Sequence, residues 1–312
     1  MTLRIEALTR GNLEEAREVL RIACPWDRAA VVAEEKLFEP GASGAPGEAL
    51  AAYEDGAMVG VACTSGGWLR LLAVRPTGRR RGVGTALLQE CERQISAHTG
   101  SIRTMAQPGN YLSPGIDERN LETIAWLEKR GFVRTGSSCN LSVPLENNLA
   151  LTPASYGQWQ EKLSVLGYEV TSLSAERRSA DIQTIADAFS PGWAFEIARA
   201  SKGTLGGVFV AVEKDSGKLA GFAGHDGNNG GLGWFGPTGV LEEHRGKGLA
   251  SALLVACLVD IRRAGHSHAE IAWIGPREFY QKVSGIDGER RFAILSKSIQ
   301  NMATSEKEVN ND

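Results

Sequence analysis

The stretch Thr238-Gly239-Val240-Leu241-Glu242-Glu243-His244-Arg245-Gly246-Lys247-Gly248-Leu249-Ala250-Ser251-Ala252-Leu253-Leu254 passes from an extended segment, through a charged loop with two glycines, into an apolar-periodic helix. The same passage occurs earlier, as Leu71-Leu72-Ala73-Val74, then Arg79-Arg80-Arg81-Gly82-Val83-Gly84, then Ala86-Leu87-Leu88. Pairing Gly82 with Gly246 and Gly84 with Gly248 puts the copies 164 residues apart. Upstream, Arg4–Leu8 alternates and leads into a helical stretch from Leu13 to Ile22; Glu169–Leu173 does the same before Ile182–Phe189. Downstream, Ala125–Phe132 answers Glu278–Gly285. Three matches in one order at nearly one spacing identify a duplicated unit of about 140 residues.

The coarse element pattern agrees. Each half reads strand, helix, irregular segment, then a hairpin, around Asp55-Gly56 in the first and Asp215-Ser216-Gly217 in the second. A further strand, the glycine loop, an amphipathic helix, a strand (Ile102–Met105; Ala269–Trp273), another helix and a final short strand (Phe132–Arg134; Phe292–Ser296) follow. The expected organisation is a first domain at 1–144, a linker at 145–167 with a helix through Tyr156–Leu166, a second domain at 168–301 and a disordered tail at 302–312. Gly41–Gly47 and Asp226–Gly233 read as flexible glycine-rich loops.

Composition narrows the function classes. With 312 residues, 34 Lys+Arg against 37 Asp+Glu and 42% hydrophobic residues, the chain is globular, and two domains are expected. A net charge of −3 with mixed signs argues against nucleic acid as a partner. The longest apolar runs, such as Leu249–Val259, are far short of the roughly 20 residues needed to span a bilayer, and Met1–Arg10 alternates instead of forming a signal peptide. Five scattered cysteines without C-x-x-C leave a reducing cytoplasm as the expected compartment, with neither structural zinc nor a disulfide framework. No His or Cys set has metal spacing, so no catalytic metal is expected.

Each glycine loop opens a helix, whose N-terminus offers unpaired backbone N–H groups and partial positive charge to an anion. Glycine admits a phosphate close to the backbone, and Arg79, Arg80, Arg81, Arg245 and Lys247 add charge. A single glycine pair reads equally well as a tight turn. No Gly-Lys-Ser/Thr follows, and the pattern is no full dinucleotide fingerprint, because position 87 is Leu and position 251 is Ser.

Arg79-x-x-Gly82-x-Gly84 after a strand ending Leu72-Ala73-Val74 resembles the acetyl-CoA loop of the GNAT acyltransferase family, as does His244-Arg245-Gly246-Lys247-Gly248-Leu249-Ala250. Phe279-Tyr280-Gln281-Lys282 resembles the family's later helix motif, and the similarity covers nearly the whole chain. It implies an α/β fold class: two tandem GNAT domains, each a mixed, mostly antiparallel sheet flanked by helices. Gly236-Pro237-Thr238-Gly239-Val240, Trp273-Ile274-Gly275-Pro276 and Gly109–Asp117 further resemble tandem GNAT proteins that acetylate glucosamine or glucosaminides.

The resemblance implies direct attack of an acceptor amine on the acetyl-CoA thioester in a ternary complex. Val74, Arg79–Gly84 (with Val83), Val240, Leu241 and Arg245–Ala250 (with Leu249) would bind acetyl-CoA, and a backbone N–H near Val74, and at Val240 or Leu241, would meet the oxyanion. Tyr280 would be the general acid. Leu127 stands at its counterpart and cannot donate a proton, although Tyr111 could substitute from a neighbouring loop, so the first domain reads as degenerate and the second as catalytic. Glu243 occupies the first loop position, normally Arg or Gln, and is expected to face outward. Asp226, beside His225, is the candidate base, but a turn residue in a polar loop is the plainer reading. Trp193, Trp234, Trp273 and Tyr111 are candidates for the acceptor wall against a reading as core, which is preferred for Trp126 and Trp159. The expected activity is N-acetylation of a small primary amine, an amino sugar first, by a monomer or homodimer. The alternatives are an amino-acid, peptide or antibiotic N-acetyltransferase and, in another class, a non-catalytic CoA-binding sensor or partner module.

Overall fold

The structure is a computed structural model that describes residues 2–173, 182, 186–273 and 275–300. The tail expected at 302–312, Ile274 and part of the stretch Ile182–Phe189 lie outside the described residues. The chain forms two compact units, one from Met1–Ser138 and Arg291–Asp312, the other from Cys139–Arg290.

In unit 1, β1 (Leu3–Ala7), β2 (Glu48–Glu54), β3 (Ala57–Ser65) and β4 (Trp68–Val74) pair antiparallel in sequence order. Asp55 and Gly56, both at positive φ, close the β2–β3 hairpin with Glu54 opposite Ala57, as the dipeptide predicts. Helices α1 (Leu13–Ala23) and α2 (Ala33–Phe38) precede β2. Helix α3 (Val83–Ser96) crosses over to β5 (Ser101–Thr104), parallel to β4. Its Val83, Leu87, Leu88, Cys91 and Ile95 recur at helical spacing and are buried with Leu50, Ala52 and Ile102. Short β6 (Ile116–Asp117) and α4 (Leu121–Glu128) complete this part. The outer edge of β5 is paired by residues 296–298 of the strand Gly288–Ser298, and β6 by Phe292 and Ala293 of the same strand.

Unit 2 repeats the plan. Strand β7 (Val133–Pro144) enters it, and α5 (Pro153–Val165), β8 (Tyr168–Ser172), α6 (Pro191–Lys202), β9 (Gly207–Glu213), β10 (Leu219–His225) and β11 (Trp234–Val240) follow. Strands β8 to β11 pair antiparallel in order; α7 (Leu249–Arg263) then crosses to β12 (His268–Ile271), parallel to β11, before α8 (Arg277–Ser284) and β13 (Gly288–Ser298). The outer edge of β12 is paired by Leu141–Pro144 of β7.

Two expectations change here. A division into 1–144 and 168–301 does not match the compact units, because the chain crosses between them at 138/139 and again at 290/291. Each parallel pair is bordered by a strand drawn from the other half of the sequence, which satisfies an otherwise open sheet edge. The segment 145–167 is part of unit 2 and carries α5, capped by Thr152, whose N–H donates to Ser155 Oγ (2.8 Å) and whose Oγ1 accepts from Ser155 N (3.1 Å). Tyr156, Trp159 and Leu163 of α5 pack into the unit 2 core, where α7 is buried from Ala252 through Val259.

The loop Asp226–Gly233, expected to be flexible, is packed: Asp226, Asn228 and Asn229 are buried. A Cβ on Gly227 would lie 2.2 Å from the Glu196 carbonyl oxygen, so its glycine permits a close approach of two backbones.

Candidate active site

Both units build a glycine loop at the end of the strand that leads into the crossover helix. In unit 1, Arg79 Nε donates to Val74 O (3.2 Å); in unit 2, Arg245 Nε donates to Val240 O (3.2 Å). Gly82 (φ 90) and Gly248 (φ 88) are the left-handed N-caps of α3 and α7. Neither helix has a side-chain cap, so the first-turn N–H groups face outward for an anion. Arg80 and Gly246 share positive φ, at 60 and 78.

These landmarks correct the register of the repeat at the loop. The equivalent positions are 79 and 245, 80 and 246, 82 and 248, a spacing of 166 and not the 164 obtained by matching glycine to glycine. Gly84 therefore corresponds to Ala250, and both stand inside the first helical turn. The first loop position of unit 2 is Arg245 and not Glu243, whose side chain is 67% exposed. Backbone conformation is the physical criterion: only 82 and 248 need the left-handed cap.

The flanking cations differ in engagement. Arg80 is exposed, 3.5 Å from Glu122, and Arg81 pairs with Glu54 at 3.2 Å. Lys247 turns inward, donating from Nζ to Tyr168 Oη at 2.6 Å, while Tyr168 Oη meets His244 Nδ1 at 2.9 Å. Tyr168 was missed from sequence, since a strand tyrosine carries no local mark of such a partner. Trp159 was read as core. Its ring also stands 3.1 Å from where a Cβ would sit on Gly248, beneath the loop.

Beyond each loop the parallel strands part. Pairing is confined to Trp68–Arg103 and Leu69–Thr104 in unit 1 and to Trp234–Glu270 and Phe235–Ile271 in unit 2. Leu241 N–H is spent on Ala220 O (2.9 Å), so by antiparallel alternation the Val240 N–H points away from β10, toward the parting. Arg75 N–H bonds Val59 O (2.8 Å), which leaves Val74 N–H in the same orientation. Of the two unit 2 candidates, Val240 therefore has the free donor.

In unit 1 the parting opens into a cleft of about 360 Å³ lined by Leu72, Arg79, Thr104, Met105, Trp126 and Leu127, among others. Trp126, read as core, does pack against the unit 1 core and is also a cleft wall, with the Arg130 guanidinium 4.2 Å from its ring centroid. Tyr111 is buried in the loop that also carries cleft-lining Leu112 and Ser113, but does not itself line the cleft. Asn110 fastens this loop: Lys36 Nζ donates to its Oδ1 (2.9 Å), and its Nδ2 donates to Glu35 O and Glu39 O (both 3.0 Å).

In unit 2, Tyr280 is 8% exposed and meets Phe235, the last residue of the parallel pairing, edge to face at 6.5 Å. Burial raises its hydroxyl pKa above the ordinary tyrosine value, and the hydroxyl makes no hydrogen bond to a described residue. It is thus a protonated donor with a free valence beside the parting of the strands. Leu127 brings no hydroxyl to the unit 1 cleft.

The remaining candidates separate. Asp226 (φ 52) is buried, with Oδ2 3.0 Å from His225 Nδ1 and Oδ1 accepting from Gly233 N (2.9 Å). Trp193 stacks on Phe189 at 5.6 Å and meets Phe222 edge to face, packed on an apolar cluster. Trp234 is buried at the head of β11, whereas Trp273, just after β12, is 47% exposed. Among the described residues no group of three or more His, Cys, Asp or Glu could hold a metal ion, and no helix is long and apolar enough to cross a membrane.

Two family models match this chain: the acetyltransferase (GNAT) domain at residues 45–134 and the acetyltransferase (GNAT) family at 176–285, together more than half of it. No curated protein matches the sequence. Among solved structures, the chain is similar to the GCN5-related glucosamine N-acetyltransferase region of a fungal multi-domain GH3 β-N-acetylglucosaminidase, at 16% identity and TM-score 0.75. That match covers 95% of this chain but 38% of the other, so the chain spans well under half the length of that protein. It is also similar to a tandem GNAT protein from the clavulanic acid biosynthesis pathway (18% identity, TM-score 0.72, covering 95% and 98%). A GCN5-related N-acetyltransferase from Sphaerobacter thermophilus matches at 17% identity and TM-score 0.64, covering 95% of each chain. These likenesses concern the fold. Two family matches, two glycine loops and two parted sheets agree: the chain belongs to the GNAT acetyltransferase family and carries two GNAT domains in tandem.

Proposed function

We propose that unit 2 transfers acetyl from acetyl-CoA to the primary amine of a small acceptor by direct attack in a ternary complex. The observation that carries this reading is the unbonded, burial-raised hydroxyl of Tyr280 beside Phe235, where the strands part. The family's general cofactor chemistry supplies the activated thioester. The N–H groups that open α7, with Arg245, hold the CoA pyrophosphate. As the amine attacks, negative charge grows on the thioester oxygen, and Val240 N–H donates to it. Collapse breaks the C–S bond, and Tyr280 gives its proton to the departing thiolate and recovers one from solvent.

The ammonium must first lose a proton. Asp226, the candidate base, holds both carboxylate oxygens in bonds to His225 and Gly233, which supports a role in positioning β11 and leaves the proton to water at the open end of the site. Exposed Trp273 supports an acceptor with an apolar ring face, and the fold likeness to a glucosamine N-acetyltransferase region supports an amino sugar. Unit 1 is read as binding acetyl-CoA without transferring acetyl, since its cleft keeps Arg79 and the loop but receives Leu127 in place of a tyrosine.

A thiol-release assay with acetyl-CoA tests the reading across glucosamine, short chitosan fragments, amino acids and polyamines. CoA release is expected with amino sugars above the rest. Release with amino acids alone would move the acceptor class, and no release with any amine would leave a CoA-binding module.

A further inference from the structure

Unit 2 contains a second cavity, of about 520 Å³, that acetyl transfer leaves unused. It lies at the far end of α7 from the glycine loop. Asp260 and Arg263 of the last turns line it, about 18 Å along the axis from Gly248 at a rise of about 1.5 Å per residue. Tyr156, Gln160, Ser172 and Ser201 stand on the other walls. Tyr156 Oη donates to Val170 O (2.7 Å), and Gln160 bonds both Val170 O and Val170 N (the latter at 3.1 Å). Those two side chains seal the edge of β8 and leave the charged pair as the open functionality.

Asp260 and Arg263 are one turn apart on one helix face, where a carboxylate and a guanidinium ordinarily pair. Here they do not. Asp260 Oδ2 is drawn to His225 Nε2 at 3.2 Å, and the buried His225 ring is held from its other side by Asp226 Oδ2 at 3.0 Å. Arg263 makes no hydrogen bond or ion pair with a described residue, and Asp260 Oδ1 is free. A separated carboxylate and guanidinium thus face one cavity, and the C-terminal carbonyls of α7 favour a cation on that side.

We propose that this cavity binds a small zwitterion, an α-amino acid or dipeptide, with its ammonium on Asp260 and its carboxylate on Arg263. The chain Asp260–His225–Asp226 then connects the ligand to the loop that ends at Gly233, whose N–H bonds Asp226 Oδ1 at 2.9 Å, directly before β11. The site is separate from the transfer site and does not depend on which amine is acetylated.

Calorimetry and ligand-observed NMR on the full chain, with L-serine, glycylglycine, ethylamine and propionate as probes, test it. The zwitterions are expected to bind, and the singly charged probes at least about tenfold more weakly. Arg263→Met, at an exposed position that leaves the His225 contacts intact, should weaken zwitterion binding about tenfold. Arg245→Ala, in the acetyl-CoA loop, should leave it unchanged, which separates this site from acceptor binding. No binding of either zwitterion up to about 10 mM overturns the proposal. So does binding that Arg263→Met does not alter, or ethylamine binding as tight as L-serine.

Discussion

The two glycine loops are alike in backbone and unlike in what surrounds them. Both cap a crossover helix with a left-handed glycine and tie an arginine to the last carbonyl of the strand. In unit 1 the helix shows one apolar face to its sheet and the strand parting opens as a cleft walled by Trp126 and Leu127. In unit 2 the helix is buried along most of its length, α5 lies against it, and Tyr280 is buried against Phe235, where the parallel pairing ends. The lesson is that backbone geometry for holding a CoA-like anion and side chains for moving a proton are independent properties of a fold. On the proposed reading, duplication copied both, and the leucine at position 127 leaves unit 1 with the first and without the second.

The largest test of that contrast is Tyr280→Phe. Loss of a general acid should lower kcat by about a hundredfold while the acetyl-CoA Kd stays within about twofold, measured by steady-state kinetics and calorimetry. The pH profile sharpens it. An acid must be protonated to act, so with its pKa raised by burial the rate should hold through neutral pH and fall only as pH climbs past that raised value. The variant should lack this alkaline fall. An unchanged kcat would return the comparison to two equivalent units.

Next is the cap glycine. Gly82 and Gly248 both have positive φ, but an added Cβ meets nothing within 4 Å at Gly82 and the Trp159 ring at 3.1 Å at Gly248. Gly82→Ala should cost about 1 kcal/mol and Gly248→Ala about 2 kcal/mol in urea unfolding. Equal costs would mean that Trp159 yields freely.

A smaller effect is expected at the arginines. Arg245→Ala should weaken acetyl-CoA binding about tenfold at the unit 2 site, and Arg79→Ala should do the same at unit 1, lowering the number of bound equivalents at fixed ligand from two to one. A wild-type stoichiometry of one would show that only one loop holds CoA. Smallest is Lys247→Met, expected within about threefold of the parent acetyl-CoA Kd, because Lys247 Nζ is spent on Tyr168.

Local chemistry was legible in the sequence to a useful depth. The duplicated loops, the Asp55-Gly56 hairpin turn and the helix carrying Tyr280 follow from patterns within a few residues, where turn chemistry and periodicity act directly. The loop register was not, because matching letters pairs Gly82 with Gly246, whereas φ pairs it with Gly248. Trp126 and Trp159 do pack on the cores, as their sequence reading has it, but an apolar ring at helical spacing gives no sign that a cleft or a glycine loop also lies against it.

What the sequence determined alone is therefore the repeat, the anion loops, the family and the candidate acid. The tertiary structure decided which strand completes each unit, since alternation specifies a face but not a partner, and residues 141–144 and 296–298 find theirs far along the chain. It also made the helix expected within 145–167 part of the unit 2 core instead of a linker, and turned the loop after His225 from a flexible segment into a buried one. Burial and long-range pairing depend on what the rest of the chain brings alongside, which no local window of residues contains.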